Sequence, residues 1–159
     1  MEVEAFLEAM ARLPTALVVV STTTGPGRFR GMTATSFTSA SLEPALVAVS
    51  LERLTATRDA LQESGRFNVS VLSDRQEFVA ERFAGRAPLV DAGWREIPHR
   101  LGGNGIPIVT GSIAWFECEL RDLVETGDHD FAVGVVREAG SEGGNPLVHW
   151  LRAFWKLTG

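Results

Sequence analysis

Tyrosine is absent from this 159-residue sequence, and cysteine and lysine occur once each. The lone Cys118 excludes an intrachain disulfide framework and any thiolate-rich metal site, and no Cys/His spacing matches a zinc motif. The expectation is a cytoplasmic chain without a metal site. Fourteen of the fifteen basic residues are arginine, so a Walker lysine or a Schiff-base lysine is excluded unless Lys156 serves. The formal charge of −5, with no basic stripe, argues against nucleic acid as a partner. The first residues, MEVEAFLEAMARLP, are acidic and lack an uninterrupted apolar run. They fit neither a secretory signal nor a membrane span and read as a short amphipathic helix, with no membrane as partner.

What is present is apolar: 45% of the residues are hydrophobic, enough for one sizeable core in a single domain spanning residues 1–159. ALVVVST (16–22), ALVAVSLE (45–52) and RFNVSVLS (66–73) read as strands, the last with Phe67, Val69 and Val71 on one face. TRDALQESG reads as a helix capped by Thr57 and closed by Gly65, and Ser73 with Gln76 forms a capping box for a second helix, DRQEFVAERFAG. SIAWFECEL predicts a strand with Ala114, Phe116, Cys118 and Leu120 on a dry face and Glu117 and Glu119 on a wetter one. FAVGVVRE and PLVHWLRAFWKL supply two more strands across a glycine-rich loop. Six or more strands with two or three early helices predict a mainly β chain with short helices, closed or nearly closed into a barrel.

Two segments invite a chemical reading. GPGRFRG follows a strand, but its third glycine is misplaced for a dinucleotide fingerprint and no helix follows, so it reads as a hairpin loop. GMTATSFTSASLEP crowds hydroxyls between two apolar runs; it is either a strand with a polar outer face or a cradle for a phosphate. The triplet Gly127-Asp128-His129 is open in the same way, between plain turn chemistry and a ligand-facing imidazole.

GMTATSFTSASLEPALVAVSL, SGRFNVSVLS, ERFAG, GDHDFAVGVV and NPLVHW stand in an order and spacing that resemble the flavin reductase-like, FMN-binding split-barrel family. They resemble most its small NAD(P)H:flavin oxidoreductase components of two-component aromatic monooxygenases. The resemblance implies a split β-barrel homodimer that moves hydride from NADH or NADPH to FMN or FAD and supplies reduced flavin to an oxygenase component. It implies that Thr33, Ala34, Thr35 and Ser36 hold the ribityl chain and phosphate, and that Ser50, Leu51 and Glu52 line the isoalloxazine edge through backbone groups. It further implies that Thr57 adds a hydroxyl near the phosphate, that Phe83, Ala84, Gly85 and Arg86 close the other side, and that His129 is the catalytic-site histidine facing the nicotinamide.

A dianionic phosphate on an acidic protein needs local positive potential, for which the α-helical start at Thr57 and the side chains of Arg58 or Arg86 are the candidates. His99 belongs to a loop expected over the flavin face, and Trp150 is expected to replace a stacking aromatic. The ending PLVHWLRAFW departs from the tyrosine-rich ending of the family. Two rival functions share much of the pattern: an FMN-binding electron carrier that does not itself oxidise NAD(P)H, and, ranked below it for want of basic phosphate ligands, a pyridoxal-type oxidase.

Overall fold

The computed structural model describes residues 1–85 and 93–157. The described residues are mainly β, with three short helices: α1 (Val3–Ala11), α2 (Ala56–Ser64) and α3 (Glu77–Phe83). None of these is long and apolar enough to cross a membrane.

The first half carries strands β1 (Thr15–Ala16), β2 (Val18–Gly25), β3 (Arg28–Ala34), β4 (Thr38–Leu42), β5 (Ala45–Glu52) and β6 (Arg66–Val71). The second half carries β7 (His99–Leu101), β8 (Pro107–Val109), β9 (Ala114–Glu125), β10 (His129–Ser141), β11 (Leu147–Trp150) and β12 (Ala153–Lys156). Seven of them form one antiparallel sheet in the order β3-β2-β6-β9-β10-β5-β4. Its two edge strands, β3 and β4, are consecutive in the chain and separated only by residues 35–37. Smaller sheets, β1-β11-β12 and β7-β8, complete the strands.

The valine run of β2 is continuous because the strand is buried on both faces. Val18 and Val20 join Val49, Leu51, Phe67, Val69 and Ala132 in one cluster, whereas Leu17 and Val19 join Leu72, Phe83, Trp94 and Leu147 in another. Two glycines mark close approaches. A Cβ on Gly134 would meet Phe67 Cζ at 2.6 Å, and one on Gly31 would meet Phe83 Cε1 at 2.7 Å.

Several local expectations shift. The glycine-proline segment turns over only between Gly25 and Arg28, so Arg28 to Gly31 belong to β3 rather than to a loop. Helix α2 is capped by Thr55, whose hydroxyl accepts from Arg58 N at 3.3 Å, and not by Thr57, which lies inside the helix; Gly65 closes it as expected, at φ 70°. Gln76 does reach back to Ser73 N at 2.9 Å, but α3 starts only at Glu77. The last segment is not one strand: β11 folds back on β12 through Leu151 and Arg152, both at positive φ (51° and 61°).

The face of β9 expected to be wetter, and the polar face of β6 beside it, are covered. The 99–109 segment packs across them, with Asn68 donating to Ile106 O at 3.0 Å, Ser70 Oγ accepting from Val109 N at 3.0 Å and Glu117 accepting from Asn104 N at 3.1 Å. Glu117 is consequently only 6% exposed.

Candidate functional site

A groove of about 430 Å³ opens where the β3–β4 connection meets the ends of β5, β10 and α3. Its polar side is built by the strand break at residues 35–37. Ser36 Oγ accepts from Ser50 N at 3.0 Å and donates to Ser50 O at 3.2 Å, which pins the break to β5. Thr33 donates to Ala80 O at 2.7 Å and ties β3 to α3. Thr35 is exposed and makes no side-chain hydrogen bond among the described residues.

Antiparallel register sets His129, the first residue of β10, opposite Glu52, the last of β5, and both line the groove. The turn before His129 is closed by Thr126, whose N–H and hydroxyl both donate to His129 O at 2.9 Å. His129 Nδ1 lies 2.7 Å from Asp128 Oδ1, and this hydrogen bond holds the exposed Asp128 carboxyl below its usual range. The side chain of His129 is 41% exposed. Gly127 and Asp128 therefore make the turn, and His129 begins the strand as one of the residues lining the groove.

Of the residues expected from the sequence, Thr33, Ala34, Thr35, Ser36, Ser50, Glu52, Phe83, Ala84 and His129 line this one groove. Leu51 does not; its side chain is fully buried in the core, leaving only its backbone near the site. Thr57 does not either, because its buried hydroxyl donates to Gly31 O at 3.4 Å from within α2. Gly85 follows the end of α3 at φ 74° and stays outside the lining, and Arg86 lies outside the described residues.

Arg58 is corrected as a phosphate candidate. Its Nε donates to Asp130 Oδ2 at 2.7 Å, and Arg53 Nε stands 3.4 Å from Asp130 Oδ1. Asp130 is 2% exposed, so alternation along β10 sends His129 to the groove and Asp130 inward as a tie to α2. No arginine or lysine lines the groove among the described residues, so an anion there would meet hydroxyls and backbone N–H groups.

Two further expected positions, Trp150 and His99, fall outside the groove lining. Trp150 stands outside the groove lining; it stacks edge-on with Trp155 at 5.3 Å and donates to Arg12 O at 3.0 Å. His149 and Phe154, which pair across the terminal hairpin, line it instead, together with Leu17, Met32 and Ala80. His99 starts β7 outside the groove lining, its Nδ1 donating to Ile97 O at 2.6 Å. The fold-back at Leu151 and Arg152, which lacks the usual Asn or Gly signal, kept Phe154 out of view.

The family model described as "Flavin reductase like domain" matches residues 10–158. The chain is 38% identical to a flavin reductase from Pseudomonas putida, covering 84% of this chain and 76% of that protein. It is 38% identical to the reductase component of 4-hydroxyphenylacetate 3-monooxygenase from Thermus thermophilus, covering 98% of this chain and 97% of that protein. Its fold superimposes on the Streptomyces globisporus NADH:FAD oxidoreductase SgcE6 in complex with NAD and FAD fragments with a TM-score of 0.90, at 30% identity, over 99% of this chain and 93% of that one. The chain belongs to the flavin reductase-like family.

Proposed function

We propose that this chain is an NAD(P)H-dependent flavin reductase, a single domain that works as a split-barrel homodimer and hands reduced FMN or FAD to an oxygenase component. The observation that carries the reading is the convergence of Thr35, Ser36, Ser50 and His129, from three separate segments, on one groove. That groove suits an amphipathic ligand. Leu17, Met32, Phe83 and Phe154 offer apolar surface to a flat ring, while Thr35, Ser36 and Ser50 offer hydroxyls and backbone groups to a polyhydroxyl chain and phosphate.

When bound, the flavin supplies the hydride acceptor and the reduced nicotinamide the donor. The chain's own work is positioning. Ser36 and Ser50 hold the β3–β4 break rigid through their two-way bond, and Thr33 fixes the distance from β3 to α3. His129, oriented by Asp128, presents Nε2 as the free ring nitrogen for the carboxamide of the donor. Ala34, Thr35, Leu51, Glu52, Ala84, Gly85 and Arg86 contribute backbone or flanking contacts, and Thr57 supports the site through Gly31.

Barrel closure is supported by edge strands that follow one another in the chain and by a core drawn from the inner faces of β2, β5, β6, β9 and β10. Dimerisation is supported by α1, which buries no residue in the single chain while Phe6 and Met10 stand 48% and 47% exposed. Phe6→Glu with Met10→Glu should shift the sedimentation mass to that of one chain.

The deciding experiment is an anaerobic titration of protein and FMN with NADH, then NADPH, following visible flavin absorption. Bleaching that depends on the protein supports the reductase. A flavin spectrum perturbed by binding but left unbleached by both nucleotides would make the chain an electron carrier.

A further inference from the structure

A second groove, of about 480 Å³, runs along the first half of β3, where Arg28, Arg30, Arg95, Trp94 and His99 meet. The flavin groove begins at Met32 and Thr33 on the same strand. Arg30 and Thr33 are three residues apart, about 10 Å at the strand rise, and the Phe83–Trp94 ring pair, seated on Gly31, separates the two grooves.

Three features of this second groove call for an anion carrying a flat ring. First, among the described residues Arg28, Arg30 and Arg95 form no ion pair and no side-chain hydrogen bond, and no acidic residue lines the groove. Three unpaired guanidinium groups converging on one concavity repel each other, and in a chain of net charge −5 they leave a local site of opposite sign. Second, Trp94 is 5% exposed, yet its indole N–H has no acceptor among the described residues. An orphaned buried donor is costly, and Trp94, which carries it, is one of the residues lining the groove. Third, Phe29, His99 and Trp94 present their rings to one another edge-on, with centroids 6.4 Å and 5.3 Å apart, forming an aromatic margin beside the arginines. Guanidinium forks and aromatic faces together recognise phosphate esters attached to a purine.

We propose that this groove binds the adenosine diphosphate half of a dinucleotide whose redox ring lies in the flavin groove, with phosphate oxygens on Arg28, Arg30 and Arg95. The assignment rests on the flavin reductase reading, under which both FAD and NAD(P)H bring an adenosine diphosphate to the protein. Either source presents the same chemistry to the groove.

The test uses the full chain and the double variant Arg28→Ala/Arg30→Ala, which alters two exposed side chains outside the flavin groove. ADP is titrated by calorimetry and by tryptophan fluorescence. The wild type should bind ADP, more weakly as salt rises, and the variant should bind it at least about tenfold more weakly. FMN, which lacks the adenosine half, should bind both proteins alike, and this equality also reports that the variant is folded. FAD affinity falling in the variant assigns the groove to the flavin. KM for NADH or NADPH rising, with FMN as acceptor, assigns it to the nicotinamide nucleotide. The proposal is overturned if wild-type protein does not bind ADP, if the variant binds ADP as well as the wild type, or if FAD affinity and both KM values are unchanged. Loss of the reductase reading has a different signature: no protein-dependent bleaching of FMN by wild-type protein, whatever ADP does.

Discussion

His129 Nδ1 donates a hydrogen bond to Asp128 Oδ1 across 2.7 Å, while the strand register fixes the same histidine opposite Glu52. The carboxylate can only accept, so the ring proton sits on Nδ1 and Nε2 is the nitrogen left for a ligand. Asp128 is held below the usual carboxylate range first by the hydrogen bond and then by the charge of His129. A lowered folded-state value means the orienting bond is complete above the ordinary Asp range and is lost only as pH falls through the lowered value.

His129→Ala should slow flavin reduction by NADH roughly ten- to a hundredfold, the scale of a lost positioning contact, with FMN affinity nearly unchanged. Asp128→Asn should give a smaller loss of the same kind. Stopped-flow reduction beside an FMN titration separates the two quantities. Collapse of FMN binding in His129→Ala would move the histidine from the nicotinamide to the flavin.

Three hydroxyls close together in sequence should behave differently because their bonds differ. Ser36→Ala removes both bonds to Ser50 and should weaken FMN binding by about 1–2 kcal/mol through a loosened loop. Thr33→Ala cuts the tie to Ala80 and should lower unfolding stability by about 1 kcal/mol. Thr35→Ala touches no internal bond, so it should weaken FMN binding and leave the urea midpoint in place. An equal effect of all three on stability would return this segment to a solvated strand.

The part of this fold legible in the sequence was the part whose burial and spacing agree. Val18 to Val20 read as a strand because both faces are dry, and Thr33 to Ser36, Ser50 and His129, singled out because their motifs stand in register, line one groove. Thr57 reads as a cap because it is a threonine at the start of α2, but so is Thr55, and it is Thr57 whose hydroxyl is taken by tertiary contact with Gly31. Glu117 looked like a wet position, since nothing local announces that Asn104 of the 99–109 segment will supply its partner, as Ile106 and Val109 of that segment do for Asn68 and Ser70. The turn at Leu151 and Arg152 carries no glycine; contacts to α1, Leu151 N to Ala11 O and Arg152 to Glu4, hold it instead.

That last observation is testable. Two non-glycine residues at positive φ cost stability that glycine avoids. Arg152→Gly loses only an exposed ion pair and should raise the melting temperature by about 2–4 °C, the shift expected from roughly 1 kcal/mol in a chain of this size. A lower melting temperature would show that the Glu4 contact, and not the turn, sets the position of α1.

Asp130 is the residue where a small change should do most damage. Its carboxylate is 2% exposed and is shared by Arg53 and Arg58, so Asp130→Ala strands a partly buried guanidinium and unties α2 from β10. The expected loss is about 3 kcal/mol in denaturant unfolding. Arg53→Ala, which keeps the shorter Arg58 bond of 2.7 Å, should cost much less, and equal costs would contradict this ranking.

The absence of tyrosine makes one further measurement unusually clean. Cys118 is 1% exposed, and burial, aided by the charge of Glu117, pushes its thiol up to about 12. Unfolded, the same thiol titrates near about 8.5. A raised folded-state value leaves stability intact below the unfolded value and removes it as pH climbs toward the folded one, because the unfolded chain ionises first. In most proteins tyrosines and lysines would obscure that slope; here Lys156 is the lone lysine and there is no tyrosine. Unfolding free energy should therefore fall by about 1.4 kcal/mol per pH unit between about 9 and 11, one proton's worth. Cys118→Ala should abolish most of that slope while lowering stability at neutral pH through a small cavity. A slope unchanged by Cys118→Ala would place the alkaline titration elsewhere, and rapid reaction of the folded protein with a thiol reagent at pH 8 would show that the strand pair β6–β9 opens around it.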